Sequence, residues 1–275
     1  MAWLGIDFSG DATRWRPRLA RPTVWVAHLV PGTPRPRLVD LRPVQDLAGS
    51  GDPFDRLVAR LRQGDFRVCA LDAPLSWPGA DALAGGRQAL LDAVLGLPVP
   101  DRPFARGDAM LVLAGSLGLP CSGKVFRPCE TLWRARGLNV RSTTWNGARP
   151  GTPFTVAALT LCGRAGLPCW PWVVGARPCL AETFPTALLA RLGLPYRGYD
   201  GPGGGATRTQ ILDALAPGLD LPATARAMMA GSADALDAVL AALGAMAVDL
   251  GRMVDPAPVA GRDGWIAVLD ALTDT

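Results

Sequence analysis

The chain has 275 residues, long for one domain and short for two with separate cores, since domains usually run about 100–200 residues. Its 49 % hydrophobic content excludes a disordered chain and calls for one large core. A formal charge of +4 permits phosphate binding without demanding it. Lys124 is the only lysine and Glu130 and Glu182 are the only glutamates, so the Arg and Asp load reads as GC-rich coding bias and not as a nucleic-acid signature.

In chain order, residues 2–8 form an apolar strand that reaches Asp7 and breaks at Ser9-Gly10-Asp11. Residues 23–30 and 37–42 give two more strands. Asp52-Pro53 then opens an amphipathic helix with Phe54, Leu57, Val58 and Leu61 at helical spacing and Gly64 as its stop. Residues 66–71 make a fourth strand, ended by Asp72-Ala73-Pro74. Three strands followed by a crossover helix predict an antiparallel meander that gains a parallel neighbour. The Pro- and Gly-rich stretch 75–175 has helical patches near 106–117, 128–137 and 153–166, and reads as an insertion shaping a cleft within a single domain over 1–275. A strand at 177–183 follows, then helices near 206–215, 222–230 and 232–252, with a last edge strand or short helix at Trp265–Leu269.

Of the six cysteines none forms a C-x-x-C pair, and His28 is the only histidine, so the usual structural zinc patterns are missing. The apolar stretch Ala238–Val248 falls short of the ~18 residues a membrane span needs. With no signal peptide ahead of the first strand, the expectation is a reduced, soluble, cytoplasmic protein without a membrane partner.

Three apolar runs end in a carboxylate: Leu4-Gly5-Ile6-Asp7, Cys69-Ala70-Leu71-Asp72 and Cys179-Leu180-Ala181-Glu182. The carboxyl ends of strands are where open α/β sheets place ligands. Buried carboxylates need a partner, and with few basic residues in these segments a divalent cation, Mg²⁺ or Mn²⁺, fits their hard oxygens. Ser232 is a good N-cap for a helix that carries Asp234 and Asp237 three apart on one face, with small residues Ala241, Gly244 and Ala245 beyond them. The expected metal set is therefore Asp7, Asp72, Glu182, Asp234 and Asp237, with Asp7, Asp72 and Asp237 catalytic. Competing readings make Asp7 and Asp72 turn residues, Asp234 a helix-dipole partner, Asp237 a solvent-facing acid, and Glu182 the structural partner of Arg177 or Arg191.

The chain also resembles a domain-of-unknown-function family of predicted RNase H-like nucleases. The resemblance runs through Gly5-Ile6-Asp7-Phe8-Ser9-Gly10, Leu71-Asp72-Ala73-Pro74-Leu75-Ser76-Trp77-Pro78, Arg106-Gly107-Asp108 and Glu182-Thr183-Phe184-Pro185. It continues through the Tyr199–Arg208 region, Asp234-Ala235-Leu236-Asp237-Ala238 and Asp263-Gly264-Trp265-Ile266. It implies an RNase H-like α/β fold, a mixed five-stranded sheet flanked by helices with strands one and four adjacent and parallel. It further implies a metal site at Asp7, Asp72 and Asp237 or Asp234, with Glu182 nearby. The chain departs from the pattern where a Tyr-Lys pair is replaced by Tyr196-Arg197 or Tyr199-Asp200. Arg106 and Asp108 of the matching piece and Arg208 are the candidate substrate-binding residues, and Arg102 is a further phosphate contact.

The function expected is metal-dependent hydrolysis of nucleic-acid phosphodiesters, with nucleic acid or a nucleotide as partner. The alternatives are an actin- or sugar-kinase-like phosphotransferase, which ATP-induced thermal stabilisation would reveal, and a non-catalytic RNase H-like binding scaffold. Gly118–Lys124 has P-loop spacing, but Val125 stands where a Ser or Thr is required and Pro120 intrudes.

Overall fold

The computed structural model describes residues 2–100, 102–255 and 263–272. The chain is an α/β structure around one six-stranded mixed sheet in the order β3-β2-β1-β4-β5-β6. The strands are β1 (Trp3–Asp7), β2 (Trp25–Val30), β3 (Arg37–Pro43), β4 (Val68–Leu71), β5 (Cys179–Thr183) and β6 (Ile266–Ala267). Strand β2 runs antiparallel to β1 and β3, whereas β1, β4, β5 and β6 are mutually parallel. The meander and its parallel neighbour therefore form as the sequence predicts. The expected count of five strands is corrected to six: Ile266 and Ala267 pair with Glu182 and Thr183.

The crossover from β3 to β4 is α1 (Pro53–Arg62). Asp52 caps it by accepting from the Asp55 amide at 2.9 Å, Pro53 fits the first turn where its missing N–H costs nothing, and Phe54, Leu57, Val58 and Leu61 are buried. The long segment between β4 and β5 holds α2 (Gly86–Leu95), α3 (Gly107–Ser116), α4 (Pro128–Ala135) and α5 (Thr152–Ala165). Far from being an appendage, it supplies much of a layer: Leu90, Val94, Met110, Val156 and Leu159 join Leu4, Ile6, Cys69 and Leu71 in one apolar cluster. The Gly118–Lys124 segment follows the end of α3 and no strand.

The other sheet face is covered by α6 (Pro185–Arg191), α7 (Gly205–Leu215), α8 (Ala223–Gly231) and above all α9 (Ala233–Leu250). Every residue of α9 from Ala235 to Val248 is buried except Asp237. A helix apolar on all sides belongs in the centre of a layer, and α9 lies against β1, β2, β4 and β5. Its closeness is permitted by Gly5: a Cβ there would stand 2.1 Å from the Ala242 amide nitrogen and 2.2 Å from the Ala238 carbonyl oxygen. No helix among the described residues is long and apolar enough to cross a membrane.

Candidate functional site

Strand alternation decides which carboxylates meet. Trp3, Val68, Ala70, Cys179 and Ala181 share a cluster with α9, while Leu4, Ile6, Cys69, Leu71 and Leu180 face the opposite layer. The parallel register pairs Ile6 with Leu71 and continues through a 3.0 Å bond from the Asp72 amide to the Ile6 carbonyl. Asp7 and Asp72 therefore lie side by side on the α9 face, about 4.8 Å apart along the hydrogen-bonding direction of the backbone. In β5, Leu71 pairs with Glu182 and not with Thr183. Glu182 thus sits one residue out of step and belongs to the opposite face.

Helix α9 completes the group. The Ser232 hydroxyl caps it, accepting from the Ala235 amide at 3.3 Å, which fixes where its first turn begins. Asp234 and Asp237 then project from the start of the helix that Gly5 holds against β1. Asp7, only 8 % exposed, feels burial first and then Asp237, Asp234 and Asp72, and its pKa is raised well above the ordinary aspartate range. Burial pushes Asp72 up to about 7, with Glu182 adding to the rise and Arg141 opposing it. Asp237 is raised by burial, by Asp72 and by Asp234 and Asp200, against the hydrogen bond it accepts from the Tyr199 hydroxyl at 3.0 Å. Asp234 is raised by burial, with Arg14 and Arg208 opposing. Among the described residues no ion pair reaches Asp7, Asp72, Asp234 or Asp237. As the side chains are placed, no three His, Cys, Asp or Glu of the described residues are close enough to hold a metal ion.

The raised carboxyl of Asp72 has a consequence for stability. The folded protein keeps its proton up to about pH 7, whereas the unfolded chain loses it near 3.8. Between those values the folded state binds more protons, so stability falls as pH rises and the penalty is complete above about pH 7. In a metal-free buffer, Asp72→Asn is expected to gain stability over the wild type as pH climbs from 4 to 8, read from urea midpoints at each pH. A gap that stays flat over this range would contradict the shift.

Glu182 is placed elsewhere than the sequence suggests. Both of its oxygens accept from Arg127, at 2.5 and 2.8 Å, and Oε2 also accepts the Leu75 amide at 3.0 Å. Arg127 in turn donates to Glu130 at 3.1 and 3.2 Å, and Thr143 donates to the same glutamate. With Arg127 1 %, Glu130 1 % and Glu182 4 % exposed, this is a fully buried ionic clasp joining α4 to β5. The partner is Arg127, not Arg177 or Arg191, and both Glu182 oxygens are engaged by its guanidinium. Its link to Leu75 steadies the turn that follows Asp72.

The basic candidates also separate. Arg208 is 5 % exposed, and its guanidinium donates to the carbonyls of Tyr199 at 2.5 Å and Ala230 at 2.9 Å. Instead of contacting phosphate, it ties the loop after Tyr199 to the end of α8. Arg106 and Asp108 are exposed and paired with each other at 3.1 Å, and that hydrogen bond holds the Asp108 carboxyl below its usual range. Both line a cavity of about 280 Å³ with Gly10, Asp11, Arg102 and Asn146, at the turn that leaves β1. Arg102 presents a buried Nε without a partner. The sequence does not separate Arg141 from the other arginines or Tyr199 from Tyr196: Arg141 is exposed yet its charge bears on both Asp7 and Asp72, and Tyr199 is buried against Asp237.

No curated protein and no solved structure is significantly similar to the chain. Residues 172–260, which carry β5, Tyr199 and the acidic start of α9, match the protein family described as Protein of unknown function (DUF429).

Proposed function

We propose that the chain is a metal-dependent phosphodiesterase acting on nucleic acid, built on an RNase H-like core. The observation that carries this reading is the gathering of Asp7, Asp72 and Asp237 from the ends of β1 and β4 and the start of α9, all three raised by burial, Asp7 and Asp237 further by neighbouring aspartates, with no ion pair to any of them among the described residues. Like charges held together in a recess are relieved by a shared divalent ion, and an all-carboxylate donor set favours Mg²⁺ or Mn²⁺. The antiparallel meander followed by parallel strands, in the order 3-2-1-4-5-6, supports the RNase H-like assignment.

The donor chemistry fits such an ion, and Asp7, Asp72 and Asp237 would hold it, with Asp234 at the rim. Bound there, Mg²⁺ or Mn²⁺ supplies a water of lowered pKa and offsets charge on the leaving oxygen. The chain's own contribution is placement. Tyr199 fixes one oxygen of Asp237, Glu182 steadies the turn after Asp72 through Leu75, and Arg141 is the cation positioned to orient a substrate phosphate beside Asp7 and Asp72.

Incubation of the wild type and Asp7→Asn with Mn²⁺ or Mg²⁺ and single-stranded, duplex and branched DNA and RNA tests the reading. Cleavage is expected to fall in Asp7→Asn by more than the roughly 10–100-fold that losing an outer-shell partner of a metal site costs. Equal cleavage by both proteins, or none of any polymer, would contradict it. A second reading, a non-catalytic binding scaffold, draws on the spacing of the acids, no three of which surround a common point as placed. Its signature is nucleic-acid binding that persists in Asp7→Asn without metal-dependent cleavage.

A further inference from the structure

The segment from Ala12 to Val39 contains Arg14, Arg16, Arg18, Arg21, Arg35 and Arg37 and no Asp or Glu. The first four of these arginines fall within the loop that follows β1 and Asp7, and all four are exposed. Arg14 pairs with Asp11 at 3.5 Å, while Arg16, Arg18 and Arg21 make no side-chain ion pair or hydrogen bond among the described residues. Unpaired surface arginines are ordinary one at a time, because a solvated guanidinium has little to gain from an exposed partner. A run of them without a compensating acid is different, since their fields add and no counter-charge on the segment cancels them.

The loop that carries them is not slack. Trp15, 2 % exposed, is driven into the core against Phe8, Phe54 and Phe104, with ring centroids 5.2, 4.9 and 6.4 Å away. Its indole nitrogen donates to the Ser9 carbonyl at 2.9 Å, and the Gln45 amide donates to the carbonyls of Arg14 at 2.9 Å and Arg16 at 3.2 Å. The backbone from Arg14 to Arg16 is thus pinned to the core and to Gln45, while the guanidinium groups of Arg16, Arg18 and Arg21 stay unpaired among the described residues. At the start of the run the ordering cost is already met in the fold, which favours a preorganised binding surface. The position also fits the carboxylate cluster. Arg14, in the same loop, is the cation with the largest favourable effect on Asp234, and Arg141 acts on Asp7 and Asp72, so positive charge from two segments bears on the acidic cluster.

We propose that Arg16, Arg18 and Arg21 form a phosphate-backbone rim that binds a nucleic-acid strand independently of sequence and leads it toward the carboxylate cluster. The leading of the strand rests on the phosphodiesterase reading above; the binding itself does not. A membrane surface is the less suited occupant, because Trp15, the one aromatic side chain among these arginines, is buried and Leu19 is half-buried, which leaves no large side chain fully exposed for insertion.

The test is fluorescence anisotropy of a short labelled oligonucleotide in EDTA over a series of salt concentrations. The proteins compared are the wild type, the triple variant Arg16→Gln/Arg18→Gln/Arg21→Gln, and a charge-matched control, Arg134→Gln/Arg191→Gln/Arg226→Gln. Each phosphate contact contributes about 0.7–0.9 to the slope of log K against log salt. The triple variant is expected to bind at least tenfold more weakly with a slope shallower by about 2–3, and the control to keep the wild-type slope. No binding by the wild type, an unchanged slope in the triple variant, an equal loss in the control, or a preference for phosphatidylserine vesicles over the oligonucleotide would each overturn the rim. Asp7→Asn separates the two ideas: in EDTA it should bind like the wild type even though its cleavage is lost, so failure of cleavage leaves the rim standing and failure of binding leaves the cluster standing.

Discussion

Gly5→Ala will destabilise the protein by well over the roughly 1–3 kcal/mol of ordinary overpacking, or prevent folding altogether. Most core glycines can accept a methyl group if a side chain turns aside. Here the added Cβ would meet the main chain of α9, at 2.1 Å from the Ala242 nitrogen and 2.2 Å from the Ala238 carbonyl oxygen. A helix backbone cannot rotate away, so α9 must lift from β1 over its whole length, and it packs on β2, β4 and β5 as well. Gly244→Ala offers a milder contrast, since the nearest atoms there are the Thr183 hydroxyl oxygen at 2.3 Å, which can rotate away, and the Thr183 Cβ at 2.9 Å, which a small shift between α9 and β5 relieves. Thr183 would give up its 2.8 Å bond to the Ala267 carbonyl, so a cost nearer 1–3 kcal/mol is expected. Urea denaturation of both variants checks the order. A Gly5→Ala protein as stable as the wild type would mean that α9 does not lie against β1 as described.

Arg127→Met should cost about 3–5 kcal/mol, the typical penalty for removing one partner of a buried ionic group. The methionine fits the space of the aliphatic stem, but Glu130 and Glu182 would remain buried side by side with their cation gone. The loss is therefore a matter of stranded charge and not of lost volume. Adding Glu130→Gln and Glu182→Gln to Arg127→Met should restore much of the stability, because neutral amides cost less to bury than unpaired carboxylates. Thermal melts of the single and triple variants at pH 7 and 5 decide this. The single variant should recover partly at the lower pH as Glu130, whose carboxyl burial already pushes up, takes up a proton, and a triple variant no more stable than the single one would refute the charge argument.

Much of this architecture was readable from residue order, for reasons that also explain the gaps. The meander and its parallel fourth strand follow from β-branched runs punctuated by Gly and Pro, and α1 from an Asp-Pro start with apolar residues at helical spacing. Asp7 and Asp72 could be paired because both end short apolar runs, and Asp237 because it interrupts an otherwise apolar helix. Glu182 ends a similar run yet lies on the other face. A one-residue offset in register reverses a side chain's direction, and register is a property of pairing that no single strand records. Arg127 and Arg208 illustrate a second limit. Each resembles the other arginines in sequence, and only the packing of distant segments shows that one is clasped by two glutamates and the other by backbone carbonyls. Helices α2 and α6 were not anticipated, since α2 begins at a glycine pair and α6 spans only Pro185–Arg191.

The idea that the rest depends on is joint capture of a divalent cation by Asp7 and Asp72. Its most direct measurement is a crystal structure of the wild type grown with Mn²⁺, using the anomalous signal of the metal to locate it. A manganese peak is expected with an oxygen of each of these two aspartates at about 2.0–2.3 Å, and Asp237 or Asp234 turned toward it. Crystals that show no peak beside Asp7 and Asp72, or manganese bound only elsewhere on the surface, would contradict it.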